Sequence, residues 1–162
     1  FAAWQLSRAN LLAEMRDWSP LVTIQPHYHM FERGIEQELV PYCNAYGVGI
    51  LPYFPLAGGF LTGKYKQGEA APTGSRGENS PYVQRYMTDK NYGIVAKLVA
   101  WAEERGHSMV ELAHAWLLAQ PQVSSVISGA TKLSQVQSNA AAGDWALSGE
   151  EFAAVNAVLA GE

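Results

Sequence analysis

The chain predicts an α/β fold in which the strands pair in parallel. Three observations carry this. Short β-rich apolar runs at 21–26, 48–53 and 123–127 are each separated from the next by at least one stretch of helical periodicity. Helical crossovers of this length demand parallel pairing. Hydrophobic residues make up 48% of the 162 residues and charged residues 16%, enough apolar matter for one core and too little charge for a disordered chain.

The elements follow in order. Residues 2–16 read as a helix with Trp4, Leu11, Leu12 and Met15 on one side, broken by Ser19-Pro20. Leu21-Val-Thr-Ile-Gln-Pro26 reads as a strand that should stop or reach the sheet rim at Pro26, which has no N–H for the ladder. Residues 34–46 return to helix, with Ile35, Leu39, Val40 and Cys43 as the apolar stripe and Gly47 as C-cap. Residues 48–53 are the second strand. Residues 66–90 are rich in Gly, Pro and Ser, a loop long enough to cover a site, with a short helix at 82–87. Residues 91–105 form a helix with Ile94, Val95, Leu98 and Ala102 inward. The capping box Ser108-x-x-Glu111 opens another, with Leu112, Ala113, Trp116 and Leu117 inward, ended by Pro121. After the third strand come a helix at 132–142 and a last one opened by Ser148-x-x-Glu151, with Phe152, Val155 and Val158 inward. This order fits either an open α/β sheet or part of a (β/α)8 barrel, and three strands cannot close a barrel.

Several partners are excluded or disfavoured. The net charge is −4 with no basic stripe, so nucleic acid is a poor partner. No run reaches the roughly 20 apolar residues of a membrane span, and no signal peptide is evident. The single cysteine, Cys43, fits a reducing, cytoplasmic setting and reads as a buried small apolar residue. The chain opens directly in a helical pattern without an initiator Met, which suggests that its N-terminal half is missing.

The most informative stretch is Val48-Gly-Ile-Leu-Pro-Tyr-Phe-Pro-Leu-Ala-Gly-Gly-Phe-Leu-Thr-Gly-Lys-Tyr65. A strand ends on an aromatic ring, Tyr53, and breaks at Pro55 into a loop with Gly58, Gly59 and Gly63 before Lys64. A flat ring, bare backbone amides and one cation at a strand end suit a flat base tied to phosphates. Gln25 lies near another strand end, where an amide can donate and accept together. Gly129, Ala130 and Thr131 precede a helix, and their amides suit an anion. His27 and His29 alternate about Tyr28 and would share a face, but no third ligand is evident, so no metal site is expected. His114 reads as structural and His107 as exposed. Arg33 and Glu36 stand three apart and read as a pair across a helical turn. Arg76 reads as a surface arginine.

Three blocks resemble the aldo-keto reductase family. The loop above is similar to its Tyr/Trp-Ser-Pro-Leu-Ala-x-Gly-x-Leu-Thr-Gly-Lys-Tyr, with Phe54 in place of Ser. Ile24-Gln-Pro-His-Tyr-His-Met-Phe-Glu-Arg33 is similar to Gln-x-x-Tyr-Asn-Leu-x-x-Arg. Val126-Ile-Ser-Gly-Ala-Thr-x-x-x-Gln-x-x-x-Asn139 is similar to Ile-Pro-Gly-Ala-x-x-x-x-Gln-x-x-Glu-Asn. The resemblance implies the C-terminal part of a (β/α)8 TIM barrel, about strands 6–8, with residues 1–162 as a partial NADP-dependent oxidoreductase domain. It implies NAD(P)H-dependent reduction of aldehydes and ketones, with NADPH as cofactor, NAD as the alternative and a small carbonyl compound as substrate. By family position Gln25 holds the nicotinamide carboxamide and Tyr53 stacks on its ring. Phe54, Pro55, Leu56, Ala57 and Gly58 line the diphosphate and ribose, and Lys64 adds charge. Arg76, in Gly74-Ser-Arg-Gly77, also resembles the loop arginine that closes over the cofactor in some members, with the plain surface arginine as the preferred reading. Gly129 and Thr131 receive the adenosine 2′-phosphate, with Gln135 beside it and Asn139 on adenine. Gln135 stands where many members carry Arg, and Ser138 where Glu is common, so NADPH over NADH is favoured only weakly. The family's catalytic Asp, Tyr, Lys and His would precede Phe1, so no catalytic residue is assigned. Two alternatives remain: a cofactor-sensing regulatory subunit resembling potassium-channel β subunits, and an inert fragment. A chain of this kind is expected to form a homo-oligomer or to require its missing half.

Overall fold

The computed structural model describes residues 1–161. Helix α1 (Ala3–Met15) leads to strand β1 (Thr23–Ile24). A 3-10 turn (Gly34–Glu36) and helix α2 (Leu39–Tyr46) lead to strand β2 (Gly49–Ile50). The strands pair in parallel, Thr23 opposite Gly49 and Ile24 opposite Ile50. Residues 123–127 complete the sheet as single parallel bridges, Ile50 with Val123 and Tyr53 with Ile127. Extended segments thus lie side by side in chain order, as the alternating pattern requires.

The regular strands are shorter than the apolar runs, and prolines explain part of the difference. Pro26 cannot donate, yet its carbonyl accepts from the Tyr53 amide at 3.0 Å. The regular strand thus ends before Pro26, and the sheet reaches its rim just beyond it, at the single bridge between His27 and Tyr53. The expected helix over 34–46 is also divided. Pro41 has no amide to continue a helix begun at 34, but it sits in the first turn of α2, where no donor is needed. Gly47 caps α2 in the left-handed conformation (φ 65°).

The long loop carries two one-turn helices, α3 (Arg76–Asn79) and α4 (Pro81–Gln84), where a single helix at 82–87 was expected. Helix α5 (Asp89–Glu103) starts two residues early because Thr88 accepts from the Asn91 amide. Helix α6 (Met109–Leu118) has the expected capping box. Ser108 Oγ accepts from the Glu111 amide, and the Glu111 carboxylate accepts from the Ser108 amide at 2.7 Å. These bonds hold the Glu111 carboxyl below the usual range. Helices α7 (Leu133–Ala141) and α8 (Gly149–Ala160) close the chain, the latter with its own capping box from Ser148.

One cluster packs the α5, α6 and α8 faces around Trp116, which is fully buried, together with Tyr28, Phe60, Leu98, Leu112 and Val155. A smaller cluster joins α1, α2 and the strands through Leu6, Ile24, Leu39, Cys43, Val48 and Ile50. Arg33 forms the expected bidentate pair with Glu36 at 2.8 and 2.9 Å, and also reaches Asn156 at 2.9 Å. His107 is not exposed as expected. It stacks on Trp145 at 3.9 Å and meets Glu111 at 3.3 Å. The apolar side of α1 differs most from a simple core stripe. Leu6 and Ala13 pack inward, while Trp4, Leu11, Leu12 and Met15 are exposed.

Candidate functional site

The C-terminal ends of the three extended segments converge through the row His27–Tyr53–Ile127. In parallel α/β sheets this rim carries the ligand site, because the following loops open outward there. Two loops leave it, 53–64 and 127–132.

Between these loops lies a cavity of about 1030 Å³. One wall is Phe54, Pro55, Leu56, Gly58, Gly59 and Lys64. The opposite wall is Gly129, Thr131, Gln135 and Asn139. The structure therefore brings nine of the twelve sequence-predicted site residues to one cavity. The other three lie apart. Tyr53 and Gln25 sit exposed near the strand ends outside the cavity lining, and Ala57 is fully buried with φ 48°.

The glycines of the first loop are needed for local reasons. Gly58 has φ 66°, and a Cβ there would lie 2.5 Å from Val83 and 2.7 Å from the Phe54 ring. Phe54 itself is held at φ 63°, which an aromatic residue adopts only under constraint. The Lys64 ammonium folds back over Gly59 and lies 5.0 Å from the Tyr65 ring centroid.

The second wall has a feature not anticipated. The Gln135 side-chain oxygen accepts from the Thr131 amide at 2.7 Å, from its hydroxyl at 3.2 Å and from the Lys132 amide at 3.3 Å. Part of the expected anion nest is thus filled by the helix's own third residue, as in half of a capping box. Lys132 and Arg76 also line the cavity, so with Lys64 three cations and no carboxylate line it among the described residues. Sequence reasoning missed Lys132 and set Arg76 aside. The signal for Lys132 was its place beside Gly129-Ala-Thr at a helix start. Arg76 came from a loop whose path the sequence did not fix.

Beside the rim, His27, His29, Tyr53, Phe54, Tyr82 and Tyr86 form an aromatic cluster. The His27 ring stacks on Tyr53 at 5.2 Å and meets His29 edge-on at 4.8 Å. His27 Nδ1 and the Tyr82 hydroxyl share a hydrogen bond at 3.0 Å, which fastens α4 to the strand end. His29 is fully buried and its Nδ1 accepts from the Phe31 amide at 3.2 Å. Burial, reinforced by His27 and Arg85, pushes His29 down to about 3. Burial also lowers His27, against the pull of Glu32. Both imidazoles are therefore neutral near pH 7. Among the described residues, no group of three or more His, Cys, Asp or Glu is placed to hold a metal.

A profile of the Aldo/keto reductase family matches residues 1–160. This chain belongs to the aldo/keto reductase family. The fold agrees with a solved glycerol dehydrogenase from Gluconobacter oxydans, at TM-score 0.76 and 34% identity over 92% of this chain and 45% of that one. Relatives include a probable voltage-gated potassium channel subunit beta of Arabidopsis thaliana, 38% identical over 89% of this chain and 45% of the relative. An L-glyceraldehyde 3-phosphate reductase of Escherichia coli K12 is 31% identical over 85% of this chain and 42% of the relative. The chain spans less than half the length of these relatives. The channel-subunit relative has the same family character, so its likeness does not favour a regulatory role. Among the described residues, no helix is long and apolar enough to cross a membrane.

Proposed function

We propose that this chain is the cofactor-binding part of an NAD(P)H-dependent oxidoreductase that reduces small aldehydes or ketones to alcohols, and that it represents the C-terminal strands of a (β/α)8 barrel. The observation that carries the reading is the cavity itself, with three cations, no carboxylate among its described lining residues and two glycine-bearing loops facing each other. That donor set fits a phosphorylated dinucleotide. Lys64 and the amides of the 54–59 loop would hold the diphosphate, and Arg76 would close over it from the long loop. Lys132, at the start of α7, would face a 2′-phosphate, which favours NADP(H) over NAD(H). Gln25 and Tyr53, exposed at the strand ends, would orient the nicotinamide end, the amide by paired hydrogen bonds and the ring by stacking.

When bound, the nicotinamide supplies hydride to the carbonyl carbon. This chain's residues fix the position of that donor. Protonation of the alkoxide requires an acid from outside this chain's cavity residues, because Lys64, Arg76 and Lys132 lie with the phosphates in this reading. Because the chain spans less than half the length of these relatives, the activity is assigned to the longer protein, in a cytoplasmic setting.

Titration of the chain with NADPH and NADH by nucleotide fluorescence tests this. Lys132→Ala should weaken NADPH binding about tenfold, on the scale of one charge-assisted bond, and leave NADH within about twofold. Equal losses for both cofactors would remove Lys132 from the 2′-phosphate. Failure to bind either would remove the cavity from nucleotide recognition.

A further inference from the structure

Ser128 and His114 form a pair that the reading above does not use. His114 is nearly buried on α6, and its Nδ1 lies 2.7 Å from the Val110 carbonyl oxygen. A carbonyl can only accept, so Nδ1 carries the proton. The neutral ring then offers a lone pair at Nε2, and the group that meets it is the Ser128 hydroxyl. Burial lowers the His114 pKa, in keeping with a neutral ring. The serine's only proton is therefore committed to His114. Its oxygen keeps lone pairs but has nothing left to donate.

Ser128 lines the large cavity and also a smaller adjoining one of about 290 Å³, lined by His114, Ser125 and Asn139 as well. The two spaces share Ser128 and Asn139 in their walls, and Lys64 lines only the larger. A hydroxyl locked as an acceptor at that junction selects a ligand group that donates. It disfavours a phosphate or carboxylate placed against it.

We infer that the His114–Ser128 pair makes Ser128 an acceptor-only contact that recognises a hydrogen-bond donor on the adenosine part of the cofactor. The inference rests on the cavity being the nucleotide site. Ser128 is the specificity-determining contact. His114 is a positioning residue that acts through it. The donor is either the exocyclic amine of adenine or the ribose 3′-hydroxyl, both carried by the same ligand, since the 2′-oxygen bears the phosphate in NADP(H).

Calorimetric titration of the chain with adenosine tests the pair without catalysis. Ser128→Ala should weaken adenosine binding about tenfold, the loss of one hydrogen bond in a partly enclosed site. Ser128→Thr, which keeps the hydroxyl, should retain most of the affinity. His114→Leu frees the serine proton and should weaken adenosine several-fold. His114→Gln, whose side-chain oxygen can accept from Ser128, should restore it. The effect of His114→Leu should vanish when Ser128→Ala is already present. Purine riboside and 3′-deoxyadenosine identify the donor, since the probe lacking it should bind wild type and Ser128→Ala alike. Both probes keeping full sensitivity to Ser128→Ala would overturn the inference. So would unchanged adenosine affinity in Ser128→Ala, or a His114→Leu effect that persists without the serine. Wild-type protein that binds no adenosine at all would instead overturn the assignment of the cavity, and the inference with it.

Discussion

Helices α1 and α6 are both rich in apolar residues, and the fold treats them oppositely. In α6, seven of the ten residues from Met109 to Leu118 are buried. Trp116 is enclosed by Tyr28 at 5.5 Å, Phe152 at 6.2 Å and the Arg33 guanidinium at 5.2 Å, and its indole N–H reaches Asn156 at 3.3 Å. In α1 only Leu6 and Ala13 are buried, and Trp4 and Met15 remain 63% and 73% exposed. The difference lies in the neighbours. Helix α6 packs on α5, α7 and the glycine loop, whereas α1 packs on α2. An apolar residue on a helix thus contributes to stability only where a second element covers it.

This contrast can be broken most directly with the two tryptophans. Trp116→Ala should cost roughly 3–5 kcal/mol in chemical denaturation, from lost burial and a residual cavity. A loss below about 1 kcal/mol would mean that the α6 core is loosely packed. At the rim the same tight packing suppresses charge. His29 has a native pKa near 3 and an unfolded one near 6.5, so its contribution is complete above about pH 6.5 and is lost as pH falls toward 3. Stability should fall with acid by up to about 1.4 kcal/mol per pH unit in that window, with His27 adding to the upper part. Melting temperature against pH would show it, and His29→Phe should flatten the profile. At the start of α6, Ser108→Ala removes the cap and should cost about 1 kcal/mol. Smallest of all, Trp4→Ala should change stability by no more than about 0.5 kcal/mol, yet light scattering should register less self-association, because it removes part of an exposed apolar face.

The parallel arrangement was legible because β-rich runs alternate with helical ones, and that alternation leaves few topologies. Caps were legible as well. Ser108 and Ser148 each stand three residues before a glutamate, and both form the bonds that this spacing implies. The division of 34–46 was harder to read, since Pro41 fits a first helical turn as well as a helix interior breaks on it. The two α1 faces could not be told apart by periodicity, because both are apolar and only the covering element distinguishes them. In the site, residues next to the glycine loops were found by position along the chain. Arg76 was not, because its approach depends on how a long loop folds back through Gly77, whose amide donates to the Tyr65 hydroxyl at 2.9 Å. Gln135 was read as a ligand contact; it lines the cavity, and its side-chain oxygen also caps α7. A glutamine three residues into a helix serves either purpose equally well by sequence.

The central claim is that the cavity between the 54–64 loop and the start of α7 holds an adenine dinucleotide. Hydrogen exchange followed by mass spectrometry, with and without saturating NADP⁺, measures that footprint. The account predicts slowed exchange in peptides covering 54–64, 72–77 and 128–139, and unchanged exchange in α1 and α8. Protection confined to α1 or α8, or no protection anywhere at a concentration where the nucleotide binds, would contradict it.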